Sequence, residues 1–223
     1  VATLDDTKRS AIAMKLADMK TLQQLIIDNE QRFIGEISDN DIRERLQKML
    51  DDDQQNLGII ETAITQYGIQ AEPETTISQM VEKVRQLMQG SELSLYEKVF
   101  QHELLKHQQV MSGITIHKAA EKVGADVMLA IGPLNTVNFE NRAHQEQLKG
   151  ILEYLGVREL TGQEVDQGIW GRVQDAVAAL SGAVGSVVTQ TSDKQDMNVQ
   201  DVIRADHNKV NTLFTELLQS DNP

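Results

Sequence analysis

Ile12, Leu16, Met19, Gln23, Ile26, Glu30, Phe33 and Ile37 follow one another at alternating steps of four and three. That is the spacing of a helix lying along a bundle seam. It predicts a first helix over about Asp6 to Ile37, roughly 45 Å long at ~1.5 Å per residue. Ile42, Leu46, Met49, Asp53, Asn56, Ile60, Ala63 and Tyr67 repeat the same steps. They predict a second helix, capped within Ser38-Asp39-Asn40-Asp41 and closed at Gly68. Only three prolines interrupt the chain and aromatics are 4%, which excludes an all-β sandwich or barrel.

Beyond Pro73 a shorter helix is expected near residues 77–89, then a long helix from about Ser94 to Val123, turned at Gly124. A fourth long helix is expected from Asp126 to Leu155, with Pro133 in its first turns and Gly156 at its end. Short turns make antiparallel neighbours, so the chain reads as an all-α, antiparallel four-helix bundle over residues 1–156. Residues 157–198 read as a connector followed by a docking helix from Ile169 to about Gln190, with Trp170 as a packing anchor. Residues 199–223 read as a separate final helix.

Four seam positions carry polar side chains in mid-helix: Gln23, Glu30, Asp53 and Asn56. A buried carboxylate without a partner costs several kcal/mol, so these groups must be hydrogen-bonded, metal-bound or turned to water. Folding the second hairpin about Gly124 brings His107 level with Glu140 and His144, and leaves Glu103 one turn away. Glu103 to His107 and Glu140 to His144 are both i to i+4 pairs, a spacing that stacks two side chains on one helix face. Carboxylate and imidazole suit iron, manganese or zinc. The bland alternative is an exposed or purely hydrogen-bonded set, and His102 and His117 read as ordinary polar positions. Asp51 and Asp52 read as solvated.

Over Asp6 to Leu155 this pattern resembles the ferritin-like superfamily. The resemblance implies a mid-bundle metal layer, with a Glu from helices A and C and Glu-x-x-His from B and D. The sequence departs from that pattern. Helix B offers Asp53-x-x-Asn56, helix D spaces Glu140 and His144 by four, and helix A places Gln23 opposite the helix B pair. The expected ligands are Glu103, His107, Glu140 and His144, with Asp53 and Glu30 as further ligands or acceptors. A single metal, or a layer held by amide hydrogen bonds, stands beside a full di-iron centre.

Asp201 to Val210, with Asp206-His207 inside it and Leu213-Phe214 after it, is similar to the first helix of hemerythrin-like (HHE cation-binding) domains. The resemblance makes His207 a ligand and the chain a fragment of a longer protein whose hemerythrin-like domain begins near Val199.

The net charge of −13 (34 acidic, 21 basic) argues against nucleic acid as a partner, because phosphate contacts need clustered Lys and Arg. The apolar run Ala176 to Val188 is short of the roughly 20 residues a membrane span needs, so no stable membrane insertion is expected. Without cysteine or a basic-then-apolar start, the default location is the cytoplasm. No phosphate-binding glycine loop occurs. The expected function is therefore a homodimeric protein binding iron or another divalent transition metal, its role in iron or oxygen stress handling implied wholly by the resemblance. A structural or dimerisation bundle without metal and a di-metal oxidase are the alternatives, and enzymatic activity is the lesser expectation.

Overall fold

The computed structural model describes residues 4–165 and 168–188 and, among them, shows seven helices and no strand. These are α1 (Leu4–Glu36), α2 (Asn40–Tyr67), α3 (Thr75–Gln89), α4 (Leu95–Val123), α5 (Ala125–Ile131), α6 (Leu134–Thr161) and α7 (Gly168–Val188). The fold is all-α, as the spacing predicts. The chain divides into two units after Gln174, and the bundle and its interior belong wholly to the first.

Local signals set the helix ends. Asp39 caps α2, its side chain accepting from the Ile42 N–H, and Gly68 ends the helix in the left-handed conformation at φ 77°. Ser94 and Glu97 form a reciprocal capping box at the start of α4. Pro133 divides the expected fourth helix into α5 and α6, because it cannot continue the hydrogen-bond ladder. Gly156 does not end α6. It is buried inside the helix, where a Cβ would lie 3.0 Å from the Tyr96 ring, and the helix runs on to Thr161 before Gly162 caps it at φ 69°.

Side-chain contacts give the directions of the four long helices. Glu30 meets His102 while Lys98 meets Glu36, so α4 runs opposite to α1. His144 meets Asp52 while Tyr154 donates to Asp39, so α6 runs opposite to α2. With short-turn antiparallel pairs α1–α2 and α4–α6, the order is up, down, down, up. The connection carrying α3 returns from the far end of α2 to the near end of α4. α1 and α6 occupy one diagonal of the bundle, and α2 and α4 the other.

Apolar clusters fill both ends of this bundle. Ile12, Leu16, Ile60, Ile116, Ile131 and Val137 pack at one end, and Phe33, Ile42, Leu46, Val99, Leu148 and Ile151 at the other. Each such side chain contributes about 1.5–3 kcal/mol on burial, which offsets the cost of the polar layer between them. The first turns of α7 dock on the bundle: Ile169 and Val173 are buried, Trp170 stacks on Tyr154 at 6.3 Å, and Arg45 lies 4.2 Å over the indole. Trp170 is thus the anchor its position suggests. No described helix is long and apolar enough to cross a membrane. Residues 199–223, and with them His207, lie outside the described residues.

Candidate functional site: a buried charge cluster around Lys106

The seam of α4 runs Val99, His102, Lys106, Gln109, Gly113, Ile116, Ala120, and that of α6 runs Leu134, Val137, Asn141, His144, Leu148, Ile151; all are buried. Both keep the three-and-four alternation, so their polar members must point into the bundle. There they meet Gln23, Glu30, Asp53 and Asn56, none of which retains measurable exposure.

Lys106 is the centre of the layer. Its ammonium donates to Glu30 Oε1 at 2.9 Å, to Asp53 Oδ2, and to His144 Nδ1 at 3.1 Å. Three N–H donors therefore find three acceptors, as a fully buried lysine requires. His144 presents its other nitrogen, Nε2, to Asp52 Oδ2 at 3.2 Å. With Lys106 donating into Nδ1, the neutral ring carries its proton on Nε2. His102 places Nε2 3.2 Å from Glu30 Oε1 and meets the Phe33 ring edge-on at 5.3 Å.

A chain of amides converges on Asp53. Gln109 Nε2 donates to the Met19 carbonyl and to Gln23 Oε1, both at 2.9 Å, which turns the Gln23 NH₂ group toward α2. Gln23 Nε2 then donates to Asp53 Oδ1 at 2.8 Å and to the Asp53 carbonyl at 3.1 Å. Asn56 Nδ2 adds a longer bond to the same Oδ1 at 3.3 Å.

The electrostatics follow from burial and from two carboxyl groups sharing one ammonium. Burial pushes Glu30 up to about 8; Lys106 opposes this, and the neighbouring Asp53 adds to it. Burial also pushes Asp53 up, but Lys106 and His144 outweigh it and hold the group well below the usual carboxylate range. Lys106 is raised, because Asp53 and Glu30 more than offset desolvation. Burial and the Lys106 charge hold His102 down at about 3, so its ring is neutral. Burial and Lys106 pull His144 down, yet Asp52 and Asp53 raise it overall. At neutral pH Glu30 is thus protonated while Asp53 is ionised, two carboxyl groups driven apart by their surroundings.

The expected metal ligands do not gather at one point. Glu103 Oε1 and His107 Nδ1 both face Gln145 Nε2, at 2.8 and 3.4 Å, on the outer α4–α6 surface. Glu140 is half-buried, with Oε2 lacking a hydrogen-bond partner, and its carboxyl is raised by burial and by Asp52. His144 alone of these four enters the core, where Glu30 and Asp53 also stand. The seam passes from Val137 to Asn141 to His144, and Glu140 precedes Asn141 by one residue, a rotation of about 100° that turns it away from the interior. The member of the seam three residues before His144 is Asn141. Among the described residues no group of three or more His, Cys, Asp or Glu side chains could hold a metal ion. The ammonium of Lys106 takes the central position, so a cationic metal does not fit this donor set.

His102, Lys106, Gln109 and Asn141 escape a search for ligand residue types, although the seam period points to each. Asp52, read as solvated, is partly buried and accepts from His144.

No family model and no solved structure matches this chain. A curated protein of Nostoc sp. (strain PCC 7120 / SAG 25.82 / UTEX 2576) named DNA nickase is 74% identical to it over 223 residues. That alignment covers 100% of this chain and 64% of the relative. The relative's name overturns two expectations from sequence: a metal-binding protein of iron or oxygen stress, and the exclusion of nucleic acid as a partner. Net charge misled the second, being a sum over the chain that carries no information on local contacts or on the length beyond it. What the chain is similar to is thus a DNA nickase, along all of its own length and less than two-thirds of the relative's.

Proposed function

We propose that this chain is the helical-bundle portion of a DNA-nicking protein, serving as a rigid scaffold for strand-cutting groups carried in further length such as the relative possesses. The observation that carries the reading is identity of 74% sustained across all 223 residues. The geometry supports a scaffold: Lys106, Glu30, Asp53 and His102 have no solvent exposure and cannot touch a phosphodiester. The up-down-down-up connectivity with a single crossover supports a ferritin-like description of the bundle. The resemblance around Asp206-His207 supports a hemerythrin-like domain beginning near Val199, where the groups that act on DNA are then to be sought.

Supercoiled plasmid tests this directly. The protein carrying this chain together with the further length of the relative converts supercoiled plasmid to the open circle, and residues 1–223 alone do not. Nicking by residues 1–223 alone would move the cutting groups into this chain, and no nicking by the longer protein would end the DNA reading.

A further inference from the structure

Asp53 on α2 and Lys106 on α4 meet across the bundle diagonal, both fully buried and in direct contact. The surroundings of this pair do more than neutralise it. Asp53 Oδ1 accepts two amide N–H bonds, from Gln23 at 2.8 Å and Asn56 at 3.3 Å, while Oδ2 faces the amine. Glu30 Oε1 lies 2.9 Å from Lys106 Nζ. His144 Nδ1 lies 3.1 Å from that nitrogen and 3.5 Å from Asp53 Oδ2. A nucleophile, a carboxyl carbon, donors aimed at one of its oxygens and a carboxyl able to carry protons therefore meet in one dry place.

We infer that Lys106 and Asp53 form an isopeptide bond, an amide joining Lys106 Nζ to Asp53 Cγ that staples α2 to α4. In the step, Nζ gives one proton to His144 Nδ1 and attacks Cγ. Negative charge develops on Oδ1, where the Gln23 and Asn56 N–H groups are already placed to stabilise it. Glu30, already protonated, gives its own proton to Oδ2 while its Oε1 takes the second proton from Nζ, His144 gives Oδ2 the first, the Cγ–Oδ2 bond breaks, and Oδ2 departs as water. Ammonium plus carboxylate become amide plus one water: nitrogen loses two protons, the departing oxygen gains two, and no oxidant or co-reactant is required.

Two physical terms favour the reaction. Holding the groups in contact supplies the orientation that a bimolecular condensation lacks. Desolvating an ion pair is expensive, and condensation replaces both ions by one neutral amide whose oxygen keeps the Gln23 and Asn56 bonds.

Intact-mass spectrometry of the purified, denatured wild-type chain decides the matter. The expected mass is lower than the sequence mass by one water, and a protease digest yields one branched peptide containing both Asp53 and Lys106. Lys106→Met and Glu30→Gln, each verified as helical by circular dichroism, are expected at their full sequence masses. A folded wild-type chain at its full sequence mass, with Asp53 and Lys106 in separate peptides, would overturn the proposal. A fully cross-linked Glu30→Gln chain would overturn the role given to Glu30. None of these outcomes depends on DNA nicking.

Discussion

Lys106 Nζ stands 2.9 Å from Glu30 Oε1, and neither side chain touches solvent. In a bundle with apolar clusters at both ends, this contact puts charge where burial is most costly, and the cost is borne only because every ammonium proton has an acceptor. The partners come from α1, α2 and α6, so one side chain of α4 reads the positions of the other three long helices. The layer thereby fixes helix register, a role for which buried polar groups are well suited.

Removing that side chain should be severe. Lys106→Met leaves Asp53 and Glu30 buried without their cation, and breaking such a cluster by deleting one partner costs about 3–5 kcal/mol. Neutralising the two carboxyl groups as well, in Lys106→Met with Glu30→Gln and Asp53→Asn, should recover the share of the loss that comes from stranded charge, and not the share that the Lys106–Asp53 amide supplies. Urea denaturation of the two variants measures both values, and a single variant as stable as wild type would show that the layer contributes nothing.

Stability should also depend on pH with two limbs of opposite sign. Glu30 is raised to about 8 by burial, so its stabilising contribution is fully present below the ordinary carboxyl range and is lost as pH rises through about 8. His144, raised by its aspartate partners, acts in the same direction above its ordinary imidazole value. His102, lowered to about 3 by burial, has the opposite sign: its contribution is present above the ordinary imidazole value and is lost as pH falls toward about 3. Glu30 therefore lowers stability from its ordinary carboxyl value up to about pH 8, His102 cancels this below about pH 6.5, and the urea midpoint should decline between about pH 6.5 and 8; Glu30→Gln should flatten that decline while leaving the acid limb in place. An unchanged alkaline slope in Glu30→Gln would count against the protonated state of Glu30.

The helix α4 offers a local test at its start. Ser94 accepts from the Glu97 N–H while Glu97 bonds back to the Ser94 N–H at 2.8 Å. Ser94→Ala removes one half of this exchange and should cost ~1 kcal/mol, read as a lower thermal midpoint. Ser94→Asp should restore it, because aspartate caps as serine does.

Much of the scaffold was legible because one rule, alternation by three and four, governs all four long helices. It located Gln23, Glu30, Asp53 and Asn56 as interior from spacing alone, while local chemistry placed a cap within Ser38-Asp39-Asn40-Asp41 and an end at Gly68. The same rule, carried through α4 and α6, leads to His102, Lys106, Gln109, Asn141 and His144. A search for i to i+4 ligand pairs instead selects Glu103, His107 and Glu140, which lie off the seam. Lysine is the residue such a search discards, since an ammonium opposes metal binding, yet here it supplies the positive charge itself. The continuation of α6 past Gly156 was not legible, because a glycine that ends a helix and one that admits a neighbouring ring differ only in tertiary context.

Close approach of α4 and α6 gives the last prediction. A Cβ built on Gly113 would lie 2.0 Å from Asn138 Oδ1 and 2.6 Å from its Cγ, far inside any contact real atoms make. Asn138 is itself buried at 9% exposure, so its short side chain has little space into which to turn. Gly113→Ala should then force the two helices apart at the level just beyond the polar layer, at a cost of about 1–3 kcal/mol for overpacking, despite alanine's better helix propensity. Asn138→Ala in the same chain removes the obstructing amide and should return the propensity gain, making the double variant more stable than Gly113→Ala alone. Thermal unfolding of the two single variants and the double variant measures the coupling. Strict additivity of the two substitutions would show that Gly113 and Asn138 do not meet as described.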